Sequence, residues 1–272
     1  HVPEPPDQVH DRRQDAFLLN RLELTPVEPD AAALRADIHD DLAVLVVPDL
    51  LEGGGRRAPR AGERLHLLTL WRDPALLAEL QGKPAIYHCV SRVVNREFVL
   101  QREEKEKFVG LMRVYERFCQ VQVLTFCVMS NHFHILLEVP AAPACGGRSW
   151  SDERVLEQWA KLYSGAELRK LRWELEHYRA QGNHRAAEQL RAKCFARMWD
   201  LSEYMKSVKQ RFTQWYNRRS GRTGPLWEDR FKSVLVQESE HVLARIGAYI
   251  ELNAVRAGLV RDPKDYRWCG YG

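Results

Sequence analysis

One β-hairpin, predicted for residues 126–140 (FCVMSNHFHILLEVP), constrains the fold more than any other segment. Its Ser-Asn pair separates two apolar runs, and turn-forming residues at that position predict a hairpin. Side chains alternate between the two faces of a strand, so residues two apart project from the same side, about 7 Å from each other. His132 and His134 therefore share one face of the second strand. The opposite face carries the apolar residues Phe133, Ile135 and Leu137.

The histidine pair has two interpretations. Two neutral imidazoles held side by side on a rigid strand form half of a metal site. An individual histidine in an apolar strand is more often a structural residue with its hydrogen bonds satisfied. The pair alone does not decide between a metal site and a structural role, so the rest of the sequence has to do so.

The composition excludes several classes of protein. The 272 residues suffice for one or two domains with a substantial core. No apolar run approaches the ~18–20 residues that cross a bilayer, which predicts no membrane partner. The six cysteines are scattered, with no CxxC pair. This pattern argues against a zinc ribbon or a disulfide scaffold and predicts a cytoplasmic protein.

Charge is distributed unevenly along the chain. The net charge is +4, yet residues 1–84 carry ten Lys/Arg and fifteen Asp/Glu, so the remainder carries the whole excess of positive charge. Residues 201–235 contain eight Lys/Arg and three Asp/Glu, with aromatic residues between the basic ones. That combination favours single-stranded nucleic acid, through phosphate contacts and base stacking. A solvated charged face is the alternative.

The apolar pattern from residue 85 onward predicts an α+β fold. With the helical residues 151–199 set aside, the element order is β-α-β-β-α-β followed by one more helix. This is the ferredoxin-like order, an antiparallel sheet with two helices on one face, which leaves the other face free to carry a site. Residues 1–84 are predicted to be a separate, partly flexible N-terminal extension of unknown role. Residues 85–272 form the main domain, with a helical insertion at about 145–200.

Several helix ends can be read from the sequence. The insertion is expected to break at residues 181–183 (QGN). Asp200 or Ser202 is predicted to cap the next helix. Ser239 is predicted to cap the last helix, which Gly258 ends.

The last helix places a group of functional residue types on one stripe. Tyr249 and Asn253 are spaced i, i+4, and Arg245 and Arg256 lie on the same side. A tyrosine can attack phosphorus if a nearby cation stabilises its developing phenoxide. The asparagine can add an oxygen ligand to a metal held by two histidines, and the arginines can hold phosphate oxygens. An ordinary tyrosine at the edge of the core is the alternative.

Four segments together resemble a known family. They are YHCVSR, VMSNHFHILLEV, GPLWEDRFKS and YIELNAVRAGLVRDPKDYRW. In order and spacing they resemble the REP-associated tyrosine transposases, relatives of the insertion-sequence-200-like single-tyrosine transposases within the HUH (histidine, hydrophobic, histidine) nuclease superfamily. The resemblance covers roughly residues 84–272, apart from the helical insertion.

The resemblance implies a role for each residue that matches a family motif. His132 and His134 match the metal-binding pair, Tyr249 the nucleophile, and Asn253 the residue that completes the metal site. Family members use Mg²⁺ or Mn²⁺ to cut single-stranded DNA beside a hairpin. They form a 5′-phosphotyrosine link and need no nucleotide cofactor. The common family form has proline after the asparagine, where this chain has Ala254; proline there restrains the helix but takes no part in the chemistry.

DNA contacts are predicted from charge and placement. The predicted set is Arg92, Asn131, Lys206, Lys209, Arg211, Trp227, Arg230 and Lys232, together with Arg245 and Arg256. Surface basic residues without a DNA role are the alternative for this set, and Trp227 could instead belong to the core. The insertion is expected to serve DNA grip or self-association, or else to act as a solvated spacer.

Two further functions remain open at this stage. One is a domesticated protein that binds hairpins without cutting them. The other is a rolling-circle replication initiator or relaxase, which shares the histidine pair but not the LWEDRFKS and NAVRAGLV segments. The expected partner is single-stranded DNA carrying a hairpin, which places the protein with the nucleoid. A homodimer, with Tyr249 acting in its own chain or in its partner's, is also open.

Overall fold

The computed structural model describes residues 83–236 and 239–272. The predicted N-terminal extension, apart from its last two residues, lies outside the described residues. No helix in the described part of the chain combines the length and apolarity needed to cross a bilayer. The elements in chain order are β1 (Ala85–Arg92), α1 (Arg102–Cys119), β2 (Gln122–Val128), β3 (His132–Val139), α2 (Asp152–Ala160), α3 (Gly165–Ala180), α4 (His184–Phe195), α5 (Leu201–Ser220), β4 (Lys232–Val236), α6 (Glu240–Glu251) and α7 (Asn253–Arg256).

The four strands form one antiparallel sheet in the order β2-β3-β1-β4. Strand β1 pairs with both β3 and β4, and α1 packs against α5. This is the ferredoxin-like arrangement predicted from the element order, so the predicted fold class is confirmed. The β1–β3 register places Arg92 opposite His132 and Val90 opposite His134. The histidine pair therefore lies on one of the two central strands.

Strand β3 separates two hydrophobic cores. Phe133, Ile135 and Leu137 belong to the larger core, which also contains buried residues of α1 and α5. Leu136 belongs to the smaller core, with Ile246 and other residues of α6. The alternation predicted for this strand is confirmed: the histidines project from the face that α6 covers.

The helix ends agree in part with the sequence. The Asp200 carboxylate accepts a hydrogen bond from Glu203 N at 2.8 Å, so Asp200 caps α5 as the first of its two predicted candidates. Ser239 occupies the N-cap position of α6, but its side chain makes no capping hydrogen bond. A turn at Leu252 divides the predicted last helix into α6 and α7, and Gly258, with φ of 69°, follows their end as predicted.

The insertion is helical and docks on the C-terminal end of α1. It comprises α2, α3 and α4, and Asn183 caps α4 at the predicted break by accepting a hydrogen bond from Ala186 N at 3.1 Å. Gln158 Nε2 donates to the carbonyl of Arg117 at 3.0 Å. At the end of the insertion, after α4, the backbone N–H of Trp199 donates to the carbonyl of Cys119 at 2.7 Å.

The other end of α1 lies beside the β2–β3 turn. Leu100 N, just before the helix, donates to the carbonyl of Ser130 at 2.8 Å. Helix α1 has 18 residues, which at 1.5 Å per residue corresponds to a length of about 27 Å. The insertion is thus attached at the end of α1 remote from His132.

One carboxylate holds the three insertion helices together. Asp152, at the start of α2, accepts hydrogen bonds from Arg179 Nε of α3 at 2.8 Å and from Arg191 Nη1 of α4 at 2.5 Å. The hydrogen bond from Arg179 is the largest cause of a lowered pKa for the Asp152 carboxyl, and burial opposes it. The Arg191 side chain is only 5% exposed and also donates to the carbonyls of Arg148 and Trp150. Without Asp152, the buried Arg191 guanidinium would lose its nearer carboxylate and keep only Glu188, at 3.5 Å.

We therefore expect Asp152→Ala to destabilise the insertion. Removing one partner of a largely buried ion pair leaves the Arg191 charge poorly compensated. The partial exposure of Asp152 and the remaining contact with Glu188 reduce the expected loss to about 2 kcal/mol. Urea unfolding followed by circular dichroism measures the change. Glu174→Ala is the matched control, because Glu174 pairs at 3.8 Å with Lys170, whose side chain is 75% exposed, and such pairs contribute about 0.5 kcal/mol or less. Equal losses in the two variants would contradict the role of Asp152.

Candidate functional site

A cluster of aromatic and imidazole rings lies between the sheet and α6. The ring centroids of His132 and His134 are 5.2 Å apart, and those of His134 and Tyr249 are 5.9 Å apart. Both histidines are buried, with 8% and 1% of their surfaces exposed. The structure thus brings together the predicted metal-binding pair on β3 and the predicted nucleophile on α6.

A third histidine belongs to this cluster. His88, on β1, is 2% exposed, and its Nε2 lies 3.0 Å from His134 Nδ1. The planes of these two rings are inclined by only 16°. The His88 ring also makes an edge contact with Tyr249, with centroids 6.4 Å apart. The sequence analysis did not single out His88. The sequence feature that could have identified His88 is the alternation of side chains along YHCVSR, which places it on the same face of β1 as Arg92.

Burial keeps all three imidazoles neutral near pH 7. Desolvation lowers the pKa of His88 to about 4. Desolvation and, secondarily, the charge of Arg92 lower the pKa of His132 to about 4. The pKa of His134 is also well below its ordinary value, first through burial and then through the neighbouring His88 and His132. Neutral imidazole is the form that can donate a lone pair to a metal.

The two histidines of β3 present unpartnered nitrogens. The Nε2 atoms of both His132 and His134 are buried and have no hydrogen-bond partner among the described residues. Buried polar atoms are nearly always paired, so such atoms at one place require an explanation. A bound cation would satisfy both lone pairs, and the residues therefore fit a metal ion at this place.

Few side chains beside the two histidines could serve as metal ligands. Within residues 83–236 and 239–272, no group of three His, Cys, Asp or Glu side chains is arranged to hold a metal ion. Asn253, the third predicted ligand, is 5% exposed, and its Nδ2 donates to the carbonyls of Tyr249 at 2.8 Å and Ile250 at 3.2 Å. These bonds anchor the amide within one turn of Tyr249. Its Oδ1 is the atom that could complete a site otherwise built from the two imidazoles.

Cationic side chains adjoin the cluster. The guanidinium of Arg256 lies over the ring of Tyr249, 5.1 Å from its centroid. Arg92 is half-buried at the end of β1, and its charge contributes to the lowered pKa of His132. Arg245 is exposed on α6, and its phosphate contact stays a prediction. Positive charge thus adjoins both the tyrosine and the histidines.

Three of the predicted DNA contacts, Lys209, Trp227 and Asn131, have structural roles in the protein. Lys209 is buried, its Nζ donates to the carbonyl of Asp229 at 2.9 Å, and desolvation lowers its pKa to about 8. Trp227 packs in the larger core and is 8% exposed, in agreement with the alternative given for it in the sequence analysis. The Asn131 side chain hydrogen-bonds within the protein at both ends, to His132 Nδ1 at 2.7 Å and to the carbonyl of Arg96 at 3.2 Å.

The other predicted basic contacts on α5 and next to β4 are exposed, and two of them, Lys206 and Arg230, line a cavity. Lys206 and Arg211 are exposed on α5, and Arg230 and Lys232 are exposed at the start of β4. A cavity of about 690 Å³ lies between α5 and residues 227–231. Its lining includes Lys206, Lys209, Trp227, Arg230 and Phe231. It opens on the α5 side of the sheet, whereas the histidines face α6.

Comparison with known proteins supports part of the resemblance. Residues 83–144 match the model of the family described as "Transposase IS200 like", and this range contains β1, α1, β2 and β3. The match confirms the resemblance to insertion-sequence-200-like transposases over the segment that carries the histidine pair. Helix α6, with Tyr249, lies outside the matched residues.

Solved structures add one further likeness. A structure described as a REP-associated tyrosine transposase bound to a REP hairpin aligns with 70% of this chain and 78% of its own, at 12% identity and a TM-score of 0.42. No curated protein sequence matches the chain at a significant level.

The lowered pKa values predict that the metal-free protein loses stability in acid. In the unfolded chain a histidine takes up a proton near pH 6.5, whereas folded His88 and His132 do so only near pH 4. The unfolded state therefore binds more protons between these values, and stability falls as the pH falls from 6.5 to 4, by up to about 3 kcal/mol for each histidine. Urea unfolding in EDTA at half-unit pH steps measures this dependence.

A variant identifies the source of the acid sensitivity. His132→Gln removes one of the three buried imidazoles with a lowered pKa, so the loss of stability between pH 6.5 and 4 should be smaller than in the wild type. His184→Gln, at an exposed position of α4, is the control for removal of one imidazole. Identical pH dependence in the wild type and His132→Gln would show that His132 is not responsible.

Proposed function

We propose that the protein is a transposase that nicks and rejoins single-stranded DNA beside a hairpin, with Tyr249 as the nucleophile. The observation that carries this proposal is the pair of buried imidazoles with unpartnered Nε2 atoms, set against a tyrosine on the facing helix. The family match over the strands that bear the histidines supports it. The hairpin substrate and the REP-associated branch rest on the resemblance of the four sequence segments.

The proposed reaction exchanges one phosphoester for another. The Tyr249 oxygen attacks the scissile phosphorus and gives up its proton, while the bond from phosphorus to the 3′ oxygen breaks. The 3′ oxygen leaves with a proton as a free hydroxyl, and the 5′ phosphate becomes attached to the tyrosine. Attack by a 3′-hydroxyl reverses these steps and joins strands. Because the number of phosphoester bonds is unchanged, the joining step needs no nucleotide cofactor.

The residues around the tyrosine have distinct tasks in this scheme. The Arg256 guanidinium, 5.1 Å from the Tyr249 ring centroid, favours the developing phenoxide. Arg92, opposite His132 on the neighbouring strand, is placed to hold a phosphate oxygen. Asn253 fixes the turn of helix that carries the nucleophile through its hydrogen bonds to the carbonyls of Tyr249 and Ile250.

The metal proposed for this site is Mg²⁺ or Mn²⁺. His132 Nε2 and His134 Nε2 would hold it, with Asn253 Oδ1 as the third protein ligand. When bound, such an ion polarises the scissile phosphate and offsets charge that accumulates in the transition state. Imidazole nitrogen is a softer ligand than Mg²⁺ prefers, so we expect Mn²⁺ to bind more tightly.

The remaining basic residues are proposed to hold DNA outside the reaction centre. Lys206, Arg211, Arg230 and Lys232 are exposed near the cavity on the α5 side of the sheet. Target bases have to be unpaired for the strand to reach Tyr249, which lies between α6 and the sheet. A stacked duplex would keep the scissile phosphate away from the sheet. A hairpin flank meets this condition, since it presents single strand next to duplex.

The nucleophile assignment is tested by Tyr249→Phe. This change removes the attacking oxygen and keeps the ring, so covalent attachment to a hairpin oligonucleotide should be lost while DNA affinity stays within about twofold. A denaturing gel with end-labelled single-stranded DNA and Mn²⁺ shows the adduct as a shifted protein–DNA band. Tyr271→Phe, at an exposed C-terminal tyrosine, is the control. A shifted band from Tyr249→Phe would assign the nucleophile to another residue.

The metal ligands are tested by His132→Ala and His134→Ala. Loss of either ligand should reduce cleavage by about 10²-fold or more. The same substitutions should also lower the Mn²⁺ affinity, measured by isothermal titration calorimetry without DNA. His184→Ala, on the surface of the insertion, should retain both properties. Cleavage that persists in EDTA would remove the metal from the scheme, and a wild type that binds hairpins but never forms an adduct would identify a binding protein.

A further inference from the structure

Each histidine of the β3 pair has its Nδ1 atom engaged inside the protein. His132 Nδ1 lies 2.7 Å from Asn131 Oδ1, and His134 Nδ1 lies 3.0 Å from His88 Nε2. In both rings the opposite nitrogen, Nε2, is buried and has no partner among the described residues. In both histidines, therefore, Nδ1 has a partner and Nε2 has none among the described residues, although the two Nδ1 partners differ chemically.

The hydrogen bonds of Asn131 fix the tautomer of His132. The Asn131 amide donates through Nδ2 to the carbonyl of Arg96 at 3.2 Å, so its other end, beside the ring, is the oxygen. An amide oxygen only accepts hydrogen bonds, and His132 Nδ1 must therefore carry the proton. A neutral imidazole has one N–H, which leaves a lone pair on Nε2. The carbonyl of Arg96 thereby decides indirectly which nitrogen of His132 can bind a metal.

In the hydrogen bond between His88 Nε2 and His134 Nδ1, either nitrogen can be the donor. If His88 Nε2 donates, then His134 carries its proton on Nε2, and that N–H is buried without an acceptor and cannot bind a cation. If His134 Nδ1 donates, then Nε2 of His134 has a lone pair, as in His132. Only the second direction gives the site two lone pairs for one cation, and it requires His88 to be protonated on Nδ1.

We propose that His88 and Asn131 are positioning residues, which fix His134 and His132 in the Nδ1–H tautomer so that both Nε2 lone pairs face one divalent cation. This inference rests on the proposed function, because it assigns the cation to the same pair of imidazoles. It gives His88 a role that needs no contact with DNA, consistent with its 2% exposure. It also replaces the predicted DNA contact of Asn131 with an orienting role. Partners that orient a ligating histidine in this way commonly contribute 10–100-fold to metal affinity.

The tautomers can be observed in the metal-free protein. The full chain is labelled with ¹⁵N-histidine, and long-range ¹H–¹⁵N correlation spectra in EDTA show which ring nitrogen carries the proton. Signals are assigned by comparison with His132→Gln, His134→Gln and His88→Gln. We expect the Nδ1–H form for His132 and His134. An Nε2–H tautomer at His134 would overturn the proposal for His88, and one at His132 would overturn it for Asn131.

Paired variants separate orientation from packing. His88→Phe keeps a buried ring but offers no acceptor, and Asn131→Leu removes the amide oxygen; each should weaken Mn²⁺ binding by about 10–100-fold in calorimetry without DNA. His88→Gln and Asn131→Asp retain an acceptor oxygen and should recover most of the affinity. Ile86→Val, on the same face of β1, controls for a small loss of packing. Wild-type affinity in His88→Phe, or equally weak binding in His88→Gln and His88→Phe, would overturn the orienting role of His88.

These measurements are independent of strand cleavage. If Tyr249→Phe still formed the DNA adduct, the proposed nucleophile would be wrong while the tautomers and the Mn²⁺ affinities would still decide the present inference. If the wild type bound no Mn²⁺, the metal-directed part of the inference would be wrong. The spectra of the metal-free protein would still show whether His88 and Asn131 set the tautomers.

Discussion

The antiparallel pairing of β1 with β3 is the interaction on which the candidate site depends. Its register sets Arg92 opposite His132 and brings His88 within hydrogen-bond distance of His134. A slip of one residue would turn a whole set of side chains to the other face of the sheet. The histidines would then enter the larger core, and Phe133 would lie beneath α6. The buried aromatic residues behind β3 therefore hold the face that carries the histidines in register.

The smaller core gives Tyr249 its position. Ile246, Ile250 and Ala254 are buried where α6 and α7 cross the sheet, so the tyrosine belongs to a packed surface and not to a loose terminal helix. The Cys127 thiol lies in the same core. Burial raises its pKa to about 12, and the backbone amide of Ala254 partly offsets that rise.

The sequence predicted the features that follow from local periodicity. Alternation along β3 identified which residues share the face of His132, and the element order identified the ferredoxin-like sheet. His88 could not be placed in the same way, because its relation to His134 depends on a strand register between residues 46 positions apart. The sequence left the burial of Lys209 and Trp227 open for a related reason. Their residue types suit nucleic acid, and only the packing of α5 and of the residues before β4 shows that the apolar lysine stem and the indole ring are buried.

Helix α1 separates the hairpin turn beside His132 from the helical insertion. Its first turn adjoins the hairpin turn that precedes His132, and its last turn carries the insertion through the carbonyls of Arg117 and Cys119. The roughly 27 Å of helix between them is stiff, so strain introduced at one end is poorly transmitted to the other. Helices can then be gained, lost or exchanged at the far end during evolution without a compensating change beside the histidines. For protein engineering, the insertion is a natural attachment point for a second domain, because a domain fused there would leave the histidine cluster undisturbed.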